Sequence, residues 1–283
     1  MNTKKIIGYF NELGPSAFRW KNLSFILKKY KNEWDIDESF ASKEFVSFLI
    51  NNKIIKEHEF NFPYRKEIIY SIGNLSLYDL IMNLKKNSYF SHYTAMYINN
   101  LTEQIPKTIY LNYEQTPKPQ FDDLTQEKLD WAFKRKPRTT NNIAKYGDYR
   151  IAIINGKHTG KLGVIEVDAP QVGKVFTTNI ERTLIDITVR PVYAGSIYEV
   201  LRAYTFAKDR VSINKLVSIL KKLNYVYPYH QAIGFYLEKS GVYEKSQINL
   251  LKDFNMKFDF YLSNGIENAE YSNNWRLFYP KGF

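Results

Sequence analysis

The chain has 283 residues, no cysteine, a formal net charge of +11 and 16% aromatic residues. The aromatic content excludes a largely disordered chain, because disordered chains bury too little apolar surface to offset ordering entropy. Its length favours two domains. The absence of cysteine excludes disulfides, thiolate zinc sites and thiol nucleophiles, and the excess of cations favours an anionic partner such as nucleic acid.

Two further exclusions concern targeting. The start, Met1 to Ile7, is followed by polar residues and lacks the continuous apolar core of a signal peptide. No apolar run reaches the roughly 18 to 20 residues of a membrane-spanning helix. We therefore expect a cytoplasmic protein with no membrane association.

The first 75 residues have the pattern of three short helices followed by a β-ribbon. Apolar residues at helical spacing predict helices near 6–13 and 23–30, with the break Gly14-Pro15 between them. Ser39 or Ser42 is expected to cap a third helix that runs to about residue 51. The strand patterns that follow, at 53–60 and 67–71, complete a predicted winged helix-turn-helix domain over residues 1–75.

A winged helix binds DNA with its third helix in a major groove and its wing along the backbone. The predicted contacts are outward polar residues of the third helix and of the ribbon. They are Lys43, Ser47, Lys53, Lys56, Arg65 and Lys66. The segment carries twelve basic and nine acidic residues, and this modest excess leaves open a winged helix used for protein contacts.

Residues 76–283 have mixed patterns that predict a larger α+β domain. Helices are expected at 76–84, 91–99, 125–133, from Thr178, from Ser212 and at 229–240, with strands at 107–111, 149–154, 162–167, 258–262 and 275–279. Thr178 and Glu181 form an expected capping box, and Gly241 is expected to end its helix. A proline-rich connector lies near 114–120.

The densest positive stretch follows that connector. Residues 134–161 contain eight basic side chains and one acidic side chain. This charge density predicts a second nucleic-acid surface. The candidates are Lys134, Arg135, Lys136, Arg138 and Lys145.

The signatures of common enzymes are absent. The four histidines have no metal-ligand spacing, and there is no nucleophile elbow, P-loop or dinucleotide fingerprint. We therefore expect no metal, no cofactor and no enzymatic activity.

Two sets of carboxylates keep an enzyme open as an alternative. Asp35 and Asp37 copy the D-x-D of nucleotidyltransferases, although no Gly-Ser turn lies a short distance upstream. Asp148 with Glu166 and Asp168 is close to the pattern of restriction-type nucleases, but Asp168 stands where the catalytic lysine is needed to stabilise charge at the phosphate.

Four segments, in the same order, carry a family resemblance. They are SHYTAMYINNLTEQIP at 91–106, ERTLID at 181–186, YHQAIGFYLE at 229–238, and FDFYL at 258–262 with WRLFYP at 275–280. Together they resemble AbiEi-type antitoxins, the regulatory halves of AbiE (type IV) toxin-antitoxin abortive-infection systems. The resemblance covers the C-terminal two-thirds, and Asn99-Asn100 departs from the expected His-Gly.

The resemblance implies an N-terminal winged helix that represses its own operon. It also implies a C-terminal domain that counteracts a nucleotidyltransferase-like toxin without forming a stable complex with it. Within the motifs, Arg182 and Asp186 are spaced as a helical ion pair, which contributes only about 0.2 to 0.5 kcal/mol when exposed. The motif residues selected as candidate site residues are His92, Glu181, Arg182, Asp186, Gln231 and Arg276.

We therefore predict an antitoxin and transcriptional autorepressor that binds operator DNA upstream of its own operon. Two alternatives stay open: a nucleic-acid-processing enzyme of a defence system, either a nuclease or a nucleotidyltransferase, and a protein-interaction adaptor. The sequence leaves the operator, the toxin and the oligomeric state open.

Overall fold

The computed structural model describes residues 1–119, 124–169 and 172–283. Gln120, the last residue of the predicted proline-rich connector, lies outside the described residues. Helices and strands are mixed along the described chain, which confirms the predicted α+β class.

The helices of the described ranges are α1 (Thr3–Glu12), α2 (Trp20–Tyr30), α3 (Ser42–Asn51), α4 (Leu77–Met82), α5 (His92–Ile98), α6 (Gln126–Lys134), α7 (Ile180–Val189), α8 (Ile197–Ala207), α9 (Ile213–Leu223), α10 (Tyr229–Ser240) and α11 (Lys245–Asn249), with a short 3-10 helix at Pro191–Tyr193. The strands are β1 (Ser16–Phe18), β2 (Lys56–Phe62), β3 (Arg65–Ile72), β4 (Tyr89–Phe90), β5 (Thr108–Glu114), β6 (Ile143–Tyr146), β7 (Tyr149–Gly156), β8 (Val164–Ala169), β9 (Gly173–Thr178), β10 (Phe260–Tyr261), β11 (Ala269–Ser272) and β12 (Leu277–Pro280).

The chain divides into two compact units. Unit 1 comprises Met1–Ser88, Asn142–Ile151 and Val167–Val175, and unit 2 comprises Tyr89–Asn141, Ala152–Glu166 and Phe176–Phe283.

Unit 1 begins with the element order α1-β1-α2-α3-β2-β3. The three helices and the two-stranded ribbon expected from the sequence are present. Strand β3 pairs antiparallel with β2 and also with β1, and β2 pairs with β6 through Asn61 and Lys145. A core that includes Phe10, Trp34 and Phe45 holds the helices together, with the Trp34 and Phe45 rings stacked at 5.8 Å.

The start of α3 differs from the prediction. Its N-cap is Ala41, not Ser39 or Ser42. The Glu44 carboxylate accepts a hydrogen bond from the Ala41 backbone N–H at 2.8 Å, which satisfies an unpaired group at the helix start. Ser39 instead donates to the carboxylate of Asp37.

Unit 2 is organised around α7. Every residue from Glu181 to Thr188 is buried, and helices α8, α9 and α10 pack around it in a large apolar core. Strand β4 pairs antiparallel with β5 and parallel with β9. A three-stranded sheet in the order β10-β12-β11 lies near the C-terminus.

Helix termini in unit 2 confirm two predictions and correct one. Ser212 caps α9 by accepting from the Lys215 N–H at 3.3 Å, and Gly241 ends α10 in the left-handed conformation. The predicted Thr178–Glu181 capping box is wrong. Asn179 is the N-cap of α7, because its side-chain oxygen accepts from the Arg182 N–H at 2.9 Å.

Candidate functional site

Helix α3 presents a polar line on its exposed side. Lys43, Ser47 and Asn51 are exposed and spaced by four residues, so they lie one above another along one helix face. Phe45 and Leu49 are buried on the opposite side. A row of one cation, one hydroxyl and one amide provides donors for base edges and phosphates. Asn51 was missed in the sequence prediction, although its spacing from Lys43 and Ser47 signals the same face.

The two lysines that follow α3, one in the turn and one at the start of β2, are not neutralised by an acidic partner in the described residues. Lys53 and Lys56 are exposed, and neither side chain has a hydrogen-bond or ion-pair partner in the described parts of the chain. Lys53 has a φ of 56°, a left-handed conformation that a lysine adopts only when neighbouring structure enforces it. It follows the C-cap residue of α3, Asn52, and the positive φ turns the chain toward β2.

The ribbon cations are partly neutralised. Arg65 donates from Nε to Glu67 at 2.8 Å and from Nη1 to Asn142 at 3.0 Å. Lys66 pairs with Glu59. Tyr64, in the turn between the two strands, has 89% of its surface exposed. A flat aromatic ring followed by two cations suits stacking on a base with contacts to phosphates, but the acidic partners lower the net charge.

The residues of the predicted second basic surface are divided between the two units. Lys145 lies on β6 in unit 1, whereas Lys134, Arg135, Lys136 and Arg138 belong to unit 2. The Arg135 guanidinium stacks over the Trp131 ring at 3.6 Å, and Arg138 lines a cavity described below.

The two carboxylate sets have ordinary surroundings. The Asp37 carboxylate accepts from the Ser39 N–H at 2.8 Å, and hydrogen bonds from Ser39 lower the pKa of Asp37. Asp148, Glu166 and Asp168 are exposed. Over 1–119, 124–169 and 172–283 there is no group of three or more His, Cys, Asp or Glu residues that could hold a metal ion.

A polar cavity of about 450 Å³ lies within unit 2. We call it the cationic cavity, because four cations and one carboxylate line it: Arg138, Lys157, Arg182, Arg190 and Asp186. His92 also lines it. The cavity thus joins the resembling segments 91–106 and 181–186 with the basic stretch.

Arg182 and Asp186 form a buried ion pair on α7. Only 4% and 6% of their surfaces are exposed, and Nε of Arg182 donates to Asp186 at 2.7 Å. Nη1 of Arg182 donates to the Leu162 carbonyl at 2.7 Å. Burial is the largest single influence and lowers the pKa of Arg182, but Asp186, Tyr225 and Tyr89 together outweigh it and raise the pKa of the guanidinium. Arg182 therefore stays charged at every accessible pH.

His92 is held neutral at the cavity wall. Burial lowers its pKa to about 4, and the neighbouring Arg190 and Arg182 act in the same direction while Asp186 opposes them. Its Nδ1 lies 2.8 Å from the Ser91 hydroxyl. With a φ of 54°, His92 begins α5 in a left-handed conformation enforced by its surroundings.

The other three cations differ in their pairing. Lys157 donates to the carbonyls of Leu223 at 2.8 Å and Asn224 at 2.9 Å, and burial together with Arg182 lowers its pKa. Arg138 and Arg190 are exposed to the cavity and the solvent, and within the described residues neither guanidinium has an anionic or hydrogen-bond partner.

The remaining motif residues lie away from the cavity lining. Glu181 accepts from the Ser212 N–H at 3.2 Å and pairs with Lys215 at 3.0 Å, which ties α7 to α9. Gln231 is fully buried and donates from Nε2 to backbone carbonyls near the C-terminal strands. Arg276 pairs with Asp259 at 2.9 Å.

Comparison with solved structures gives a likeness in fold. No family model matches this chain, and no curated protein matches it. A crystal structure of the RV2827C protein from Mycobacterium tuberculosis is similar over 98% of this chain and 90% of that chain, with a TM-score of 0.61 and 9% sequence identity. This likeness bears on the fold alone. In the described part of the chain no helix has both the length and the apolar character needed to span a bilayer.

Proposed function

We propose that the protein is a transcriptional autorepressor that binds operator DNA through a winged helix formed by residues 1–75. The observation that carries this proposal is the exposed line on α3, which follows α1-β1-α2 and precedes the β2-β3 ribbon. That order is the order of a winged helix, in which α3 is the recognition helix and the ribbon is the wing.

The charged and the uncharged residues of this face have different roles in the proposal. Lys43, Lys53 and Lys56 lack acidic partners in the described chain, so they carry the attraction to phosphates. Ser47 and Asn51 lie along the middle and end of α3 and supply uncharged donors and acceptors for base edges. Arg65 and Lys66 compete with their own carboxylates and contribute less.

A salt-series titration of the full chain tests this proposal. Fluorescence anisotropy measures its affinity for labelled DNA from upstream of its own gene and for a scrambled duplex. The triple variant Lys43→Gln, Lys53→Gln, Lys56→Gln is expected to reduce the slope of log affinity against log salt by about 0.9 for each phosphate that the protein no longer neutralises. Ser47→Ala is expected to reduce the preference for the operator and to leave the slope unchanged.

The chain offers a matched control. Lys239, Lys245 and Lys252 are exposed lysines of unit 2, and their triple change to Gln removes the same formal charge. Equal reductions in affinity for the two triple variants would reject α3 and the adjoining turn as the DNA-binding face. The absence of any operator preference in the unchanged protein would favour the adaptor or the enzyme instead.

We further propose that unit 2 carries an antitoxin activity against a nucleotidyltransferase-like toxin. The supporting observation is that the resembling segments 91–106 and 181–186 both contribute to the cationic cavity. Co-expression of this protein with a nucleotidyltransferase-like toxin is expected to restore growth of the host, without the two proteins co-purifying. A metal-dependent nuclease activity that disappears in Glu166→Gln would favour the enzyme alternative.

A further inference from the structure

We infer that unit 2 contains a binding site for a nucleoside diphosphate or a small molecule of the same class, with its phosphates in the cationic cavity and its flat apolar end in an adjoining chamber. This inference is independent of the DNA-binding and antitoxin proposals. It depends on the charge of one chamber, the composition of the next and the wall that they share.

The charge of the first chamber calls for an anion. Arg138, Lys157, Arg182 and Arg190 face the cavity, and Asp186 is the one carboxylate among its lining residues. Asp186 is already committed to Arg182 through the 2.7 Å hydrogen bond. The lining therefore keeps an excess of three positive charges, which matches the two to three negative charges of a diphosphate.

The positions of these cations favour phosphate over a diffuse counterion. The free guanidiniums of Arg138 and Arg190 present paired N–H donors, the geometry that binds phosphate oxygens in a bidentate manner. Lys157 is held in place by the carbonyls of Leu223 and Asn224, so its charge is fixed before a ligand arrives. His92 is neutral and adds no repulsion among the cations.

The second chamber is more apolar than the first, although Lys118 and His158 are also among its lining residues. It has a volume of about 390 Å³ and shares Lys157, Arg190 and Tyr225 with the cationic cavity. Its other walls include Pro117, Val226, Tyr227 and Tyr229. Flat aromatic and proline surfaces accept a planar heterocycle by stacking, and the amide of Gln115, which lines both chambers, offers a donor and an acceptor for a base edge.

The two chambers together define the ligand. Each volume falls within the range of small-molecule sites, about 300 to 1,000 Å³. A ligand that fills both must have a strongly anionic end next to a planar apolar end. A nucleoside diphosphate meets both requirements, whereas inorganic phosphate fills the first chamber alone.

Isothermal titration calorimetry on the full chain tests the site with ADP, pyrophosphate and adenosine. ADP is expected to bind most tightly, pyrophosphate more weakly, and adenosine weakest of the three, because it lacks the charge that the first chamber requires. The double variant Arg138→Gln, Arg190→Gln is expected to weaken both ADP and pyrophosphate by about 100-fold, from roughly tenfold for each charged hydrogen-bonding group removed.

Two further variants separate the chambers and control for charge. Tyr227→Leu keeps apolar volume but removes a stacking surface, so ADP is expected to bind about tenfold more weakly while pyrophosphate is unaffected. Arg202→Gln removes an exposed arginine of α8 that is not part of either lining, and both ligands should bind it as they bind the unchanged protein. Thermal unfolding of each variant checks that the fold is retained.

Three results would overturn the inference. One is the absence of binding by the unchanged protein at about 1 mM ADP. Another is an affinity for ADP that Arg138→Gln, Arg190→Gln leaves unchanged in a folded protein. The third is an equal reduction of affinity in that double variant and in Arg202→Gln, because it would show general charge attraction without a site.

Discussion

Breaking the buried ion pair of α7 is expected to destabilise unit 2 far more than breaking an exposed pair. In Asp186→Leu the Arg182 guanidinium stays buried without its carboxylate, and removal of one partner from a buried pair costs about 3 to 5 kcal/mol. In Arg182→Met the Asp186 carboxylate is left alone, and the Leu162 carbonyl also loses its 2.7 Å donor. Each single variant should therefore lose about 3 to 5 kcal/mol in the free energy of unfolding.

The double variant Arg182→Met, Asp186→Leu separates the pair from its other contacts. It removes both charges together, so the large penalty for a lone buried charge disappears. The unsatisfied Leu162 carbonyl remains and costs about 1 to 3 kcal/mol. The double variant should thus lose much less than the sum of the two single variants, which is the signature of direct coupling.

Hydrogen exchange of the α7 amides is the suitable assay, because it reports the stability of this helix separately from that of unit 1. Arg202→Met is the control, since its pair with Glu199 at 3.6 Å is half exposed and should change stability by less than about 1 kcal/mol. A destabilisation below about 1 kcal/mol in Asp186→Leu, or additive effects in the double variant, would refute the reasoning.

Three other changes have defined outcomes. Burial lowers the pKa of His92 from the ordinary 6.5 to about 4, so its contribution to stability is complete above about pH 6.5 and falls by up to about 1.4 kcal/mol per pH unit as the pH drops toward 4. The variant His92→Asn tolerates the positive φ and should flatten this slope when denaturation is measured across pH. Equal slopes in the two proteins would contradict the role of His92. Gln231→Leu should lower the free energy of unfolding by about 1 to 3 kcal/mol, since the backbone carbonyls of Phe258 and Trp275 lose their donor. Operator affinity should stay the same, and an unchanged stability in urea denaturation would contradict a structural role for Gln231. Gly234→Ala should lower the free energy of unfolding by about 1 to 3 kcal/mol or more, because the added methyl group would overlap the buried Trp275 ring. A thermal unfolding midpoint equal to that of the unchanged protein would show that the ring can move.

Local patterns predicted the parts of the fold that depend on local contacts. The helix predicted from residue 76 begins with a reciprocal cap between Ser76 and Asp79, and both partners lie within one helical turn. The same pattern at Thr178 and Glu181 gave a wrong prediction of the N-cap of α7, because Asn179 is the cap and the Glu181 carboxylate pairs with Lys215. A capping motif does not show whether its acid has a partner more than thirty residues away.

The short strands had weak signals for a related reason. Strand β1 has three residues, which is too few for alternation to appear, and its pairing with β3 defines it. Strand β9 turns Val175 and Thr177 inward, and a buried threonine reads as a polar position in the sequence. Its hydroxyl donates to the Phe90 carbonyl at 3.3 Å, a contact that only the fold brings about.

The candidate sites were predictable to different degrees. The outward residues of α3 could be predicted from helical spacing, since a single helix fixes them. The cationic cavity could not, because Arg138, Lys157 and Arg190 come from three separate segments. A stretch of high positive charge in the sequence therefore became several different environments: a stacked arginine, a cavity wall and a lysine bound to carbonyls.

The pair of Arg182 and Asp186 shows how burial changes the meaning of a motif. From sequence alone the spacing gives a surface pair of about 0.2 to 0.5 kcal/mol, because exposure is the default for charged residues. In the structure both side chains are buried, so the same pair becomes a strong constraint on α7. Asp186 neutralises Arg182 and leaves the charges of Arg138 and Arg190 without a carboxylate partner in the cavity lining. The cavity thus retains the positive charge that an anionic ligand requires.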